Sequence, residues 1–285
     1  PLLRALFWAA LALVAIRLAG LALEALVAPM RGYDPWAHWA TKARVWFEHG
    51  RMMPFVPSET WLARGDPSLY TDANPGHPAT IPLMQAWTAA FLAAWDDSLV
   101  SAPWIAASIA LPLAFYAQAR RAGARAPVAM TAAWLLVSLP VLGRHVAIAG
   151  AADLFLAATY GLAAIALWRW SATREAPMGW LALVTALSGL AMKNEGILWM
   201  ATLVPGAVTA FHRRAGFALA GIAVLAFAGY LALGPARLPL MGYVLLSRPV
   251  DVLPYVIPQV FAYDNWHLAA YALVAVVAWH WRILL

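Results

Sequence analysis

Asp34, Asp153 and the run Lys193-Asn194-Glu195 are the residues of this sequence best suited to chemistry, because each stands beside a long apolar stretch. A charge in such a place is costly unless it is paired or used. Asp34 precedes Pro35 and the run Trp36-Ala37-His38-Trp39-Ala40-Thr41-Lys42-Ala43-Arg44-Val45-Trp46. Two readings fit it: a helix cap followed by proline at the first helical position, or a carboxylate that takes a proton from a hydroxyl. Asp153 follows Ala149-Gly150-Ala151-Ala152 at the start of an apolar segment. It reads as another cap, or as a desolvated acid sharing a site with Asp34. Lys193 is one of only two lysines, the other being Lys42, and it sits with an amide and a carboxylate in a tight break between apolar runs. A snorkelling lysine beside a capping Glu195 explains the break, and so does a bound anion. His77, in Asn74-Pro75-Gly76-His77-Pro78, is either a turn residue or an imidazole that serves a phosphate or carries a proton.

The elements that must position these groups belong to a membrane. The 285 residues are 64% apolar and 11% charged, against roughly 45–50% and about 25% in ordinary soluble domains. Mean hydropathy is +0.71. A soluble enzyme is excluded, and the absence of cysteine removes disulfides and thiolate metal sites. The net charge of +6 rests on arginines in short pairs between apolar runs, which membrane topology explains and nucleic acid does not.

Apolar runs at 5–28, 98–119, 126–143, 154–170, 178–192, 197–211, 215–233 and 264–282 predict an all-α polytopic bundle of about eight crossings. A further stretch, 79–95, opens with Pro78 and Pro82. If it does not span, Arg120, Arg121, Arg125, Arg169, Arg174, Arg213, Arg214 and Arg282 all fall on the cytoplasmic side with Glu175 as their single acid. The other face then gathers Asp34, Glu48, Glu59, Asp66, Asp72, Asp96, Asp97, Asp153, Glu195, Asp251 and Asp264. We therefore read 79–95 as an interfacial or re-entrant outer helix within a single domain over 1–285.

Two long outer loops, 29–78 and 234–263, are the natural carriers of function. The tryptophans at 36, 39 and 46 suggest a belt lying at the headgroup level. Arg17 and Glu24 share a face of the first helix and are expected to pair with one another or with a neighbouring helix. The second loop, with Arg248, Asp251, Tyr255, Tyr263, Asp264 and His267, reads as an ordered lid or interfacial segment. The chain opens without Met and stops at Leu285 beside an apolar run, so we expect it to be C-terminally incomplete.

In order, these features resemble the GT-C membrane glycosyltransferases that use polyprenyl-phosphate sugars, in the protein O-mannosyltransferase and aminoarabinose-transferase branch. The resemblance rests on Asp34 in the first outer loop, the aromatic stretch around Lys42, His77-Pro78 before an apolar segment, Ala152-Asp153-Leu154 at a helix start, and the Lys193-Asn194-Glu195-Gly196 break. It covers about residues 1–211 through short motifs. Many relatives have Asp-Glu where this chain has Asp34-Pro35, and a Thr-Lys-Gly-like break where it has Met192-Lys193-Asn194.

The resemblance implies sugar transfer from a polyprenyl-phosphate donor to a lipid, glycan or protein acceptor at the extracytoplasmic face of the inner membrane. It implies Asp34 as general base and Lys193, with Asn194 and Glu195, as the donor-phosphate break. Lys42 and His77 serve as helpers, and Asp153 orients the acceptor, shares the base role or holds a divalent cation. One base without a second nucleophilic carboxylate implies inversion. Two rivals stand beside this reading. A transporter or lipid flippase would line a path for an anionic substrate with Arg17, Glu24, Asp153 and Lys193, and a non-catalytic membrane subunit would offer its outer loops to a partner. The gathering of charge at one face favours the enzyme.

Overall fold

The computed structural model describes residues 1–72, 74–233, 239–240, 243–244, 249–263, 265–266 and 269–284, with side chains left aside at 230–233, 239–240, 243–244, 249–252 and 280–284. The described chain is all-α apart from two pairs of two-residue strands. It forms two compact units, Pro1–Ser138 with Leu142–Leu203, and Leu139–Val141 with Val204–Leu285.

The first unit begins with α1 (Leu2–Val27), then a π-helical turn, Pro35–Ala40, that runs into α2 (Thr41–His49). A short excursion follows: β1 (Phe55–Val56), α3 (Ser58–Arg64) and β2 (Tyr70–Thr71), with β1 and β2 parallel. Next come α4 (Thr80–Leu92), α5 (Ala102–Arg121), α6 (Ala126–Ser138), α7 (Pro140–Ala147), α8 (Asp153–Thr173), α9 (Ala176–Met192) and α10 (Gly196–Ala201). Among the described residues, Leu2–Val27, Leu99–Arg121 and Asp153–Thr173 are each long and apolar enough to cross a membrane. The pair α6 and α7, bent by 59°, adds a fourth if it is one span. The eight expected runs are therefore not all single long helices. Run 178–192 is the 17-residue α9, and 197–211 is divided between α10 and α11 (Val204–Phe211). With 13 residues, α4 is about 20 Å long at 1.5 Å per residue, short of a roughly 30 Å hydrocarbon core.

The bend in run 126–143 has a local cause. Pro140 brings no N–H to the helical ladder and disfavours helical backbone at the residue before it. A carbonyl near the break, that of Val137, accepts Arg17 Nε at 3.4 Å. Gly143 makes room for this arginine, since a Cβ there would lie 2.1 Å from its Nη2. Arg17 thus turns to neighbouring helices and not to Glu24, which faces Arg31 at 3.9 Å instead.

One buried core of the first unit gathers where α8 begins. Leu21 of α1, Trp39, Ile81 of α4, Trp104 of α5, Val146 of α7, and Ala149, Ala152 and Leu154 at the start of α8 form one buried cluster. Trp104 satisfies its only polar atom by donating Nε1–H to the Ala151 carbonyl at 2.9 Å, and its ring meets Phe155 edge-on at 5.1 Å. These contacts fix the entry of α8, and with it Asp153.

The second unit holds α11, α12 (Arg213–Leu233), the antiparallel β3 (Pro239–Leu240) and β4 (Tyr243–Val244), α13 (Pro249–Phe261) and α14 (Ala269–Leu284). Gly216 lets α12 lie against α11, because a Cβ there would overlap Thr209. In the expected lid, Tyr255 and Tyr263 are exposed. Arg237, Arg248, Asp264 and His267, and the side chain of Asp251, lie outside the described residues.

Candidate functional site

Asp34 occupies the position before Pro35 at the mouth of the π-helical turn, yet its carboxylate makes no capping hydrogen bond. It is exposed, so the cap reading does not account for it. The turn that follows is wider than an α-helix, a geometry that recurs at functional sites. It sends His38, Trp39 and Ala40 inward. The expected headgroup belt is corrected here: Trp36 is 70% exposed, but Trp39 is in the core and Trp46 is buried with Nε1–H donated to the Met53 carbonyl at 2.9 Å.

The inward face meets Asp72. Its Oδ2 lies 2.8 Å from Lys42 Nζ and 3.2 Å from His38 Nδ1, and its Oδ1 accepts the Asn74 N–H at 2.6 Å. The carboxylate is fully enclosed. Burial drives the Asp72 carboxyl up, but the His38 and Lys42 hydrogen bonds and charges outweigh it and hold the group below its ordinary range. Burial pulls the Lys42 ammonium down, with Asp72 opposing. Lys42 also donates to the carbonyls of Asn74 at 3.0 Å and Pro75 at 3.3 Å. Two of its donors are taken by carbonyls and its charge is held by the enclosed Asp72, which removes it from the direct phosphate contact expected of it. It instead clamps the turn 74–77, closed by the His77 N–H on the Asn74 carbonyl.

His77 stands at the edge of this buried group, its ring 5.0 Å from that of His38 and 5.2 Å from that of Trp39. Burial and the neighbouring His38 pull its imidazole below the ordinary value, with Glu195 opposing. The same turn reaches the Lys193 break, where Asn194 Nδ2 lies 3.5 Å from the Gly76 carbonyl.

At that break, α9 ends on an extended Lys193 and α10 begins after Glu195, which makes no side-chain cap. Gly196 is required because a Cβ would lie 2.2 Å from the Gly189 carbonyl oxygen. Lys193 Nζ donates to Asp153 Oδ1 at 3.2 Å and approaches Glu195 Oε1 at 3.9 Å. Asp153 is the first residue of α8, with Ala152 as the cap, so the helix dipole stabilises its charge. Burial lowers Lys193, but the carboxylates of Asp153, Glu195 and Asp34 outweigh it and hold the ammonium above its ordinary value.

The structure therefore brings Asp153, Lys193 and Glu195 together, with Asn194 joining them to the turn that carries His77, and leaves Lys42 enclosed with Asp72; Asp34 reaches this group only through its longer-range charge on Lys193. Two carboxylates against one ammonium, with the charge of Asp34 acting from farther off, can accept a proton from a hydroxyl, orient it, and offer a cation to an oxyanion. Among the described residues no three His, Asp or Glu side chains group as a metal site; Mg²⁺ on one or two carboxylates and a substrate phosphate would need fewer.

Sequence reasoning missed His38 and Asp72. Their signals were present: His38 and Lys42 are four residues apart, and Asp72-Ala73-Asn74 is a side-chain-to-backbone turn pattern. Comparison of the chain with known families, curated proteins and solved structures finds no match.

Proposed function

We propose that this chain is an integral membrane glycosyltransferase that moves a sugar from a polyprenyl-phosphate donor to an acceptor hydroxyl or similar group, with inversion at the anomeric carbon. In this GT-C-like reading the chain crosses the inner membrane about eight times, its arginine-rich loops cytoplasmic and its reactive surface extracytoplasmic. The observation that carries the reading is the meeting of Asp153, Lys193 and Glu195 within 4 Å, inside the field of Asp34, although these residues come from three separate regions of the chain.

Asp34, exposed and without a capping bond, takes the acceptor's proton as the sugar–phosphate bond opens. Asp153 orients the acceptor. Lys193, with Asn194 and His77 beside it, faces the charge that develops on the departing phosphate. A transporter would instead need Arg17 to line its path, and that guanidinium packs on Val137 and Gly143.

The test is transfer from a polyprenyl-phosphate sugar by the full chain in proteoliposomes. Asp34→Asn removes the base and is expected to lower turnover by about 10²-fold or more, while retaining wild-type folding. Near-wild-type turnover would overturn the assignment.

A further inference from the structure

Lys193 holds its two acids unequally. Asp153 Oδ1 accepts one of its three N–H donors at 3.2 Å. Glu195 Oε1 stands at 3.9 Å, close enough for attraction between the charges and too far for a hydrogen bond. The other oxygen of Glu195, Oε2, is enclosed and has no hydrogen-bond partner among the described residues. An enclosed acceptor without a donor forfeits the hydrogen bonds that water would give it. What the carboxylate gains by standing there is the charge of Lys193.

The backbone at Glu195 is fixed while its side chain is not. The Glu195 carbonyl accepts the Trp199 N–H at 3.2 Å, and the Gly196 N–H is donated to the Lys193 carbonyl at 2.9 Å. Gly196 itself lies against the Gly189 carbonyl, with no room for a Cβ. The Glu195 side chain caps nothing and is 38% exposed. Rotation about its own bonds, with the break unmoved, is enough to turn the carboxylate to water. Asp153 is held differently, by its hydrogen bond to Lys193 and by the dipole of the 21-residue α8 that it begins.

We propose, resting on the transferase reading above, that Glu195 is an exchangeable counter-ion of Lys193: the donor's phosphate displaces it on entry, and its return helps to expel the phosphate left after transfer. Without a substrate, Asp153 and Glu195 bring two negative charges to one ammonium, so a further anion meets repulsion from both. Glu195 loses least by leaving, because it gives up a long ion pair and gains donors for the oxygen that has none. The sugar donor is a phosphodiester with a single negative charge, whereas the phosphate that departs is a monoester carrying about −1.5 to −2 at pH 7. Lys193 by itself would hold this product more tightly than the donor. A carboxylate that competes for the same ammonium weakens that hold and frees the site for the next donor.

Glu195→Gln keeps the size of the side chain and removes its charge. Farnesyl phosphate, a short prenyl phosphate monoester, is titrated into the full chain in detergent and followed by calorimetry. We expect its Kd to fall by about threefold in the variant, the scale of a partly exposed ion pair. Lys193→Met is expected to remove this binding. In transfer, the KM for the donor should fall by the same factor with kcat no higher than in the wild type, a split that a merely structural residue does not give. Unchanged or weaker probe binding in Glu195→Gln overturns the exchange. The wild-type chain gives a second readout if the variant does not fold. With carboxyl-labelled glutamate, one of five signals, identified with Glu195→Asp, is expected to shift as the probe is added, and five unmoved signals overturn the exchange. Tighter probe binding in Glu195→Gln without sugar transfer by the wild type overturns the transferase reading and leaves the exchange standing. Transfer with unchanged probe binding does the reverse.

Discussion

The two lysines make the same kind of contact in opposite settings. Lys42 is 3% exposed against a wholly enclosed Asp72, whereas Lys193 is 17% exposed against Asp153 and Glu195 at 39% and 38%. Around Lys42 two carbonyls and an enclosed carboxylate hold the ammonium within the protein, which makes the group a clamp between the π-helical turn and the turn 74–77. Around Lys193 the two acidic side chains are only partly enclosed. An ion pair alone says little about its role; enclosure separates the one that holds the architecture from the one placed to meet a substrate.

The largest break in that comparison should come from Asp72→Ala. It leaves an ammonium and an imidazole enclosed without their anion, a loss of about 3–5 kcal/mol. Thermal or denaturant unfolding of the purified chain in detergent measures it. Replacing both partners, with Lys42→Met and Asp72→Leu together, is expected to regain about 2 kcal/mol, because apolar side chains of similar volume need no counter-ion. A single variant that loses less than about 1 kcal/mol would make the clamp no stronger than an exposed pair.

A narrower effect lies in acid. The folded state holds the Asp72 carboxyl below its ordinary range. Its contribution is therefore fully present above the unfolded value, about 3.9, and is lost as the pH falls through the folded value. Unfolding measured from pH 6 downward should show this acid limb below about pH 4. Asp72→Asn should flatten it. Retention of the full limb in the variant would assign it to other carboxylates.

The sequence made the membrane character and several site-bearing features legible because they are local. A 26-residue apolar helix, an acid at the start of α8 and a lysine in a two-helix break each declare themselves within a few residues. What was not legible depends on contacts far along the chain. Asp72 reads as one outer acid among eleven until Lys42 and His38, 30 and 34 residues earlier, are seen against it. The wide turn at Pro35–Ala40 changes which tryptophans face inward, a change that helical periodicity does not carry. Arg17 and Glu24 fit each other by spacing, but the bend at Pro140 exposes a carbonyl that serves Arg17 better.

The smallest effect on stability is expected from Lys193→Met, and it is the one that sharpens the comparison most. Removing this ammonium leaves Asp153 and Glu195 as partly exposed carboxylates, with Glu195 Oε2 enclosed and the α8 dipole still behind Asp153. A change within about 1 kcal/mol is expected, as for other partly exposed pairs. The same substitution removes the cation assigned to the departing phosphate, so the dependence of transfer on donor concentration should weaken while the fold stands. Unfolding and donor titration on one preparation separate the two. If Lys193→Met costs as much stability as Asp72→Ala, Lys193 is a second clamp, and its place beside Asp153 and Glu195 reflects architecture. If stability holds and donor use falls, enclosure has divided the chain's two lysines between structure and substrate.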